Sequence, residues 1–580
     1  MAKLIYVCRR HGAFGPEAEA RLLGIGNALL PDNIASRNPE ACVQGDVAWA
    51  VSQAGAVTRS PGGSVLLGYL YGDDGGWSEV GSAPPDGSYA LIRNDPDRLE
   101  AITDPAGSRT LWYLLTDDLF IVSTSQRAIV MMAGSVDFND RVIPWMLSTG
   151  SLGPELSWDR RGRRLQPASS VALDKRAWTV SERVHVPVAF EPEDRPVREH
   201  EDAIRSALER TTAALARLDW DQWVLPLSGG YDSRGILCLI RSQLGLPEGF
   251  RTVTWGLASS RTQKGNDALI AAQLADALGV RNDYLLTELS TEPAEAIANR
   301  FVFCAEGRTD HVAGYADGLD IWRRLHAEGM RGIIRGDEGF GWVEVTSELG
   351  TRLSVEGGLC SDFENLKHVP ALLGQEEHRH PDFLLRQEGE TLESWRDRLY
   401  HAYRIPTVLA ALSDVKLAYV EQITPLLSRD ILQAVRRLPD RLRTEKSLYK
   451  SVVSALGPAV PYASRGANAD PRDLVESPQF SDLVRAELSD TAAHNTLGAE
   501  LVRQILNGMT ATDSDRRRSS RMRKLKGAIA QRLPRFAKDL MRATVVKPTV
   551  GGNTLAFRAY IIARMRRLLE EDSKRFPAGG

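Results

Sequence analysis

The chain has 580 residues, 43% of them hydrophobic and 25% charged, with a formal net charge of −3. That length exceeds what one hydrophobic core organises, so two domains with extensions are expected, and the near-neutral balance gives no global pull toward nucleic acid or an anionic membrane. No apolar run approaches the length of a membrane span, and the apolar core at residues 4–8 is too short for a signal peptide, so a cytoplasmic protein is expected. Along residues 1–187, short β-like runs alternate with Gly, Asp and Pro turns: 4–8, 64–71, 88–93, 111–115, 119–124 and 170–174. This spacing predicts a layered, mainly antiparallel domain. The Pro- and Glu-rich stretch at 188–198 reads as a linker.

Beyond the linker the pattern changes. A helix over 199–217 leads to a strand ending at Leu227, then to a helix from Arg234, a strand at 251–256 and a helix over 266–278 that stops at Gly279, a residue suited to a C-cap. Strands alternating with helices predict a parallel sheet with its ligand at the carboxyl ends of the strands. Residues 391–457 read as helical. A basic run from Arg516 to Lys538 reads as a solvated helix or tail, with docking of an acidic partner as the alternative. The expected domains are therefore 1–187, 199–510 and an extension over 511–580. Five scattered cysteines, Cys8, Cys42, Cys238, Cys304 and Cys360, contain no Cys-x-x-Cys pair and indicate neither a disulfide framework nor a zinc site.

The stretch that carries chemistry is Ser228-Gly229-Gly230-Tyr231-Asp232-Ser233, between the strand and the next helix. The glycines are expected to take φ angles closed to other residues and to bring N–H groups close to an anion, while the helix start adds its positive dipole end. Asp232 is a candidate Mg²⁺ ligand. No Gly-x-x-x-x-Gly-Lys-Ser/Thr loop is present, and a ligand-free turn is the competing reading. A second cluster, Gly336-Asp337-Glu338, follows a strand-like run at 332–334, and Asp337 is expected to share the metal with Asp232. On its own that composition is more often a simple turn.

Together these motifs resemble the synthetase domain of the asparagine synthetase family, whose ATP pyrophosphatase loop leaves AMP on a substrate. Residues 104–113 and 120–125 look like the family's amino-terminal glutaminase-type domain, and the likeness covers about residues 1–470. It implies a two-domain protein: an α+β layered Ntn-type antiparallel sheet domain, and an α/β parallel-sheet ATP pyrophosphatase domain with a helical extension. Under this resemblance ATP and Mg²⁺ are the cofactors. Leu227, Ser228, Gly229, Gly230, Asp232, Ser233, Trp255 and Gly336 are the expected nucleotide contacts, Asp232 and Asp337 the metal ligands, and Asp337, Glu338 and Lys446 the catalytic set, with Lys450 as the alternative lysine.

Departures from the family narrow the reading. Position 2 is Ala2 rather than a nucleophilic cysteine, Cys8 lies inside a strand-like run, and the family's glutamine-binding patterns are missing, so no ammonia release is expected. The position of the family's catalytic loop lysine is held by about Ala467. Arg335-Gly-Asp-Glu-Gly-Phe-Gly-Trp342 looks most like the lasso peptide cyclase version of the second motif. That branch implies ring closure between a peptide amino terminus and an Asp or Glu side chain of a precursor peptide, beside a leader-binding protein and a leader protease. A β-lactam synthetase-like or ammonia-dependent small-molecule ligase, and an inactive nucleotide-binding scaffold, are the alternatives. Asp310 and His311 read as ordinary loop residues, with a place in the pocket wall as the alternative.

Overall fold

The computed structural model describes residues 3–35, 39–52, 55–72, 75–376, 378–468, 472–509 and 547–577; Ala2 and the basic run from Arg516 to Lys538 lie outside them. The amino-terminal part consists of two six-stranded sheets, antiparallel throughout, that face one another. Strand Lys3–Arg9 explains the layering. Its side chains alternate between faces. Leu4, Tyr6 and Cys8 enter the core between the two sheets, whereas Ile5 and Val7 enter a second core under helices Glu17–Ala28 and Gln126–Ala133. A strand covered on both sides must be apolar at every position, which is why residues 4–8 read as a continuous run. Cys8 pairs with Val47 and Phe120 in mid-sheet, and burial pushes its thiol up to about 12. The outermost strand, Thr179–Val184, is exposed and charged, which protects an open edge from pairing further.

The second part is built on a five-stranded parallel sheet in the order Asn282–Leu286, Arg251–Gly256, Trp223–Pro226, Gly332–Ile334, Glu421–Ile423. Val224, Val253 and Ile333 pack on one face; Trp223, Leu225, Ile334 and Ile423 pack on the other. The carboxyl ends of the three central strands therefore converge at one rim. The helical stretch that begins at Leu392–Leu399 widens into a π-helical segment, Tyr400–Leu409, around Pro406, which has no N–H to donate, and continues as Ala410–Leu417.

Buried polar contacts tie the two parts together. Lys3 Nζ meets Glu306 Oε1 at 2.9 Å, Arg109 pairs with Glu421, and Ser88 Oγ and Thr424 Oγ1 lie 2.9 Å apart. The carboxy-terminal helix Gly552–Arg575 buries Leu555, Phe557, Tyr560, Ile561, Ile562 and Met565 in the same core as Val224 and Val253. Near its end Asp572 receives Arg127 Nε at 2.7 Å and Nη2 at 2.8 Å. Periodicity in the surrounding sequence gave no sign that this helix is an internal element.

The Arg127–Asp572 pair is almost wholly shielded from solvent. Removing one partner leaves an uncompensated buried charge, a loss of about 3–5 kcal/mol, whereas replacing both by apolar residues is close to neutral. Arg127→Ala is expected to lower the thermal unfolding midpoint by several degrees. The double variant Arg127→Met with Asp572→Leu is expected to recover most of that loss in the same melting experiment.

Candidate active site

Strand Trp223–Pro226 ends at Leu227, and residues 228–231 turn into helix Asp232–Leu244, whose positive end faces the rim. Within the turn Ser228 N–H donates to Ser233 Oγ at 3.0 Å, Gly229 N–H to Asp267 Oδ1 at 2.8 Å, and Gly230 N–H to Ser228 Oγ at 3.3 Å. The expectation of unusual φ angles at these glycines is corrected here, since neither lies in the positive-φ region. Gly229 is required by space instead. A Cβ there would stand 2.7 Å from Ala463 Cβ and 2.9 Å from Ile270 Cβ.

The strand-end turn at Gly336 comes just as close. A Cβ on Gly336 would lie 3.0 Å from Asp232 Cβ and 3.2 Å from Ser233 N, so the absent side chain is what lets the two rim loops touch. That contact brings the carboxylates of Asp232 and Asp337 within electrostatic range. Lys446 Nζ links Asp232 to Glu338: it stands 2.7 Å from Glu338 Oε1 and 3.2 Å from Asp232 Oδ2. Glu445 and Lys446 both have left-handed backbones, with φ of 58° and 57°. Two consecutive non-glycine residues there cost on the order of 1–3 kcal/mol each, strain of the kind retained where a side chain has to be aimed. Lys450 pairs with Glu445 at 3.8 Å instead.

Burial dominates the electrostatics. It pushes Glu338 up to about 7 and raises Asp232, in both cases against the pull of Lys446. Burial alone would depress Lys446, but Glu338 and Asp232 outweigh it and hold the ammonium above the ordinary lysine value. Both Glu338 oxygens are used inside the protein, one by Lys446 and one by the Phe340 N–H at 2.6 Å. Asp337 is held more loosely, by Gln422 Nε2 at 3.3 Å and Arg335 Nη2 at 3.5 Å.

These groups border a cavity of about 860 Å³. Of the expected site residues, Leu227, Ser228, Asp232, Ser233, Trp255, Gly336 and Asp337 line it; Gly229, Gly230, Glu338 and Lys446 adjoin these lining residues in the two loops and the 445–446 turn. Ala467 lines it where the family lysine was looked for, and its carbonyl accepts from Leu257 N–H and Ser260 Oγ. The loop carrying Ala467 is clamped by Arg234, which donates to the Val460 and Pro461 carbonyls at 2.7 Å, and by Tyr462 stacked on Tyr231 at 3.7 Å. Asp232 and Asp337 suit a single Mg²⁺, an ion commonly bound by one or two carboxylates plus substrate phosphates. No group of three or more His, Cys, Asp or Glu placed to hold a metal ion occurs among the described residues.

A second cavity, of about 870 Å³, adjoins the first and shares Trp255, Arg335 and Asn468 with it. Sequence reading missed it because its wall comes from distant parts of the chain: Thr149, the 310–322 segment, Lys416, and Phe557 and Arg558 of the carboxy-terminal helix. Asp310 and His311 belong to this wall, which corrects their reading as ordinary loop residues. Asp310 accepts from Arg558 Nε at 2.7 Å, and His311 lies 3.5 Å from Glu356.

No protein-family model matches the chain, and no curated protein matches it. Among solved structures, it is similar to the glutamine phosphoribosylpyrophosphate amidotransferase from B. subtilis complexed with ADP and GMP. That match has 10% identity and a TM-score of 0.20, over 50% of this chain and 83% of that one. The allosteric regulatory enzyme of purine biosynthesis matches at 10% identity and a TM-score of 0.21, over 50% and 82%. The U34-tRNA thiolase from Methanococcus maripaludis, with its 4Fe-4S cluster, matches at 12% identity and a TM-score of 0.20, over 54% and 80%. Similarity this slight assigns no chemistry, which rests on the residues above. Among the described residues no helix is long and apolar enough to cross a membrane.

Two outcomes are expected. Gly229→Ala forces its Cβ against Ala463 and Ile270 and is expected to weaken ATP binding at least about tenfold, the equivalent of about 1.4 kcal/mol of misfit, in a direct titration. The second concerns His401, buried under the Gly339 turn, with Nε2 2.8 Å from Gly339 O and Nδ1 3.4 Å from Arg436 Nε. The network assigns a neutral ring, donating to Gly339 and accepting from Arg436. Burial first, then Arg436, depresses its pKa to about 3. The unfolded chain takes up that proton near pH 6.5, so His401 leaves stability unaffected above pH 6.5 and subtracts from it as pH falls toward 3. Melting curves across this range are expected to show a smaller acid loss for His401→Gln than for the wild type.

Proposed function

We propose that this chain is an ATP-dependent, AMP-forming amide ligase of the asparagine synthetase type, with a glutaminase-inactive Ntn-like domain, acting as a lasso peptide cyclase. In this reading it adenylates an Asp or Glu side chain of a precursor peptide and closes an isopeptide ring with the peptide's amino terminus. The observation that supports it is the pair of joined cavities: a nucleotide-sized space against two strand-end loops opens at Arg335 directly onto a second space of equal size. Release of ammonia from glutamine would need a reactive thiol, and Cys8 is sealed in mid-sheet with its thiol raised.

A carboxylate does not acylate an amine at neutral pH because its oxygen leaves too poorly. In the proposed reaction one carboxylate oxygen attacks the α-phosphorus, the bond to the β-phosphate oxygen breaks, and pyrophosphate departs. Phosphate oxygens then replace Ser233, Asp267 and Ser228 as acceptors at the 228–230 amides, where the helix end stabilises negative charge. Asp232 and Asp337 would hold Mg²⁺, which when bound supplies charge neutralisation at the phosphates. Lys446 and Glu338 act as positioning residues that fix the Asp232 carboxylate.

The amine then attacks the acyl carbon, AMP leaves, and one proton is released. An α-amine with a pKa of about 7.7–8.0 is roughly one-tenth neutral at pH 7, which lessens the need for a lysine at position 467. Holding both ends of one peptide in a near-attack arrangement is worth about 7–11 kcal/mol. This reading carries with it a leader-binding protein and a leader protease as partners, and a cytoplasmic location.

The test supplies purified protein, ATP and magnesium with linear acidic peptides, with small β-amino acids, and with aspartate plus ammonia. AMP and pyrophosphate in equal amounts, with loss of one water from the peptide alone, are expected. Asp232→Ala is expected to lower turnover by a factor on the order of 10² or more. ADP with orthophosphate as products, or full turnover in Asp232→Ala, would overturn the proposal.

A further inference from the structure

Where the two cavities meet, at Trp255, Arg335 and Asn468, lies a throat; Arg335 stands in it and Lys416 on the wall of the second cavity, and both keep donors that the protein leaves unused. Arg335 Nε is buried with no hydrogen-bond partner among the described residues, and its guanidinium meets Asp337 Oδ1 only at 3.5 Å. Lys416, 4% exposed on the wall of the second cavity, donates from Nζ to the Leu412 carbonyl of its own helix at 2.6 Å and forms no ion pair among the described residues. A lysine ammonium has three donors and a guanidinium five, so both groups retain donors for a ligand.

Three acids of the same cavity are in the opposite condition. Asp310 is held by Arg558 at 2.7 Å, Glu356 by Arg404 at 2.7 Å, and Asp317 by the Leu319 and Ile321 N–H groups, each at 3.2 Å. With these acids satisfied and Arg335 and Lys416 keeping donors to spare, this wall is suited to receive an anion. Burial first and the nearby charge of Arg335 second depress Lys416 to about 7. An anion between the two cations relieves both penalties.

We propose that Arg335 and Lys416 form a carboxylate clamp at the throat, which seizes the acid side chain to be activated and presents its oxygen to the nucleotide cavity. The substrate then carries its carboxylate on an apolar or aromatic-compatible stem, since Trp255, Trp322 and Phe557 line the space behind the clamp. The proposal rests on the ligase reading for the fate of the carboxylate, but recognition of the acid can be measured without turnover.

Trp255 and Trp322 report on the cavity through their fluorescence. Titration of the full-length protein, with magnesium and AMP present, uses N-acetyl-aspartate N-methylamide as the probe and N-acetyl-asparagine N-methylamide as its uncharged match. The wild type is expected to bind the acid at least about tenfold more tightly than the amide, a difference of about 1.4 kcal/mol. Lys416→Met is expected to remove that preference while AMP affinity stays within about twofold, a shift of under half a kcal/mol, and the partly exposed Arg335→Gln is expected to remove the preference as well. The wild-type comparison needs no variant, so a poorly folding Lys416→Met leaves the test intact.

Equal binding of acid and amide by the wild type overturns the clamp. So does a preserved preference in both variants, or a loss of AMP affinity in a folded Lys416→Met, which would make the effect one of the nucleotide cavity. If acid preference holds while peptides yield ADP, the clamp stands and the AMP-forming reading falls; the two failures are distinguishable.

Discussion

Everything at the rim depends on the contact between two loops that only a glycine permits. A Cβ on Gly336 would stand 3.0 Å from Asp232 Cβ and 3.2 Å from Ser233 N, closer than side chains ordinarily pack, so a larger residue would push the two loops apart. Two carboxylates are thereby forced close together in a poorly hydrated place, an arrangement that is unfavourable unless a cation is added. Lys446 is that cation, aimed by two left-handed residues and locked by Glu338 from behind. The result is a preorganised acidic site whose geometry is settled before any ligand arrives.

The second constraint is that the molecule needs both sheet systems and its carboxy-terminal helix to enclose the adjoining space. The parallel sheet alone offers an open rim. Thr149 comes from the antiparallel part, Lys416 from the helix that follows the π-helical stretch, and Phe557 and Arg558 from the far end of the chain. The buried pairs Lys3–Glu306, Arg109–Glu421 and Arg127–Asp572 hold these pieces in register, since a separated charge in the interior costs more than the pair gains.

Much of the architecture was legible because it repeats on a short scale. Runs at 88–93, 119–124 and 170–174 correspond closely to strands Gly87–Asn94, Leu119–Ser123 and Ser169–Asp174, and the helix expected to stop at Gly279 spans Asp267–Leu278. Strands such as Glu40–Gln44 and Thr179–Val184 were missed because they sit at sheet edges, where no continuous burial imposes an apolar pattern. The loop glycines were noticed for a valid reason applied to the wrong feature: Gly229 is there for the nearness of Ala463 and Ile270, neighbours that no local pattern announces.

By itself the sequence determined the chemical inventory of the rim: a Ser-Gly-Gly-Tyr-Asp-Ser turn between strand and helix, a second acidic turn one strand away, and a lysine at 446. These are local because a strand-to-helix turn needs particular residues at particular places. Only the tertiary structure decided that Lys446 is bound by Glu338 as well as Asp232, and that Asp310, His311, Arg335 and Lys416 line one cavity. Those facts depend on which distant side chains lose water together, and that is set by packing between segments hundreds of residues apart rather than by the residues flanking them.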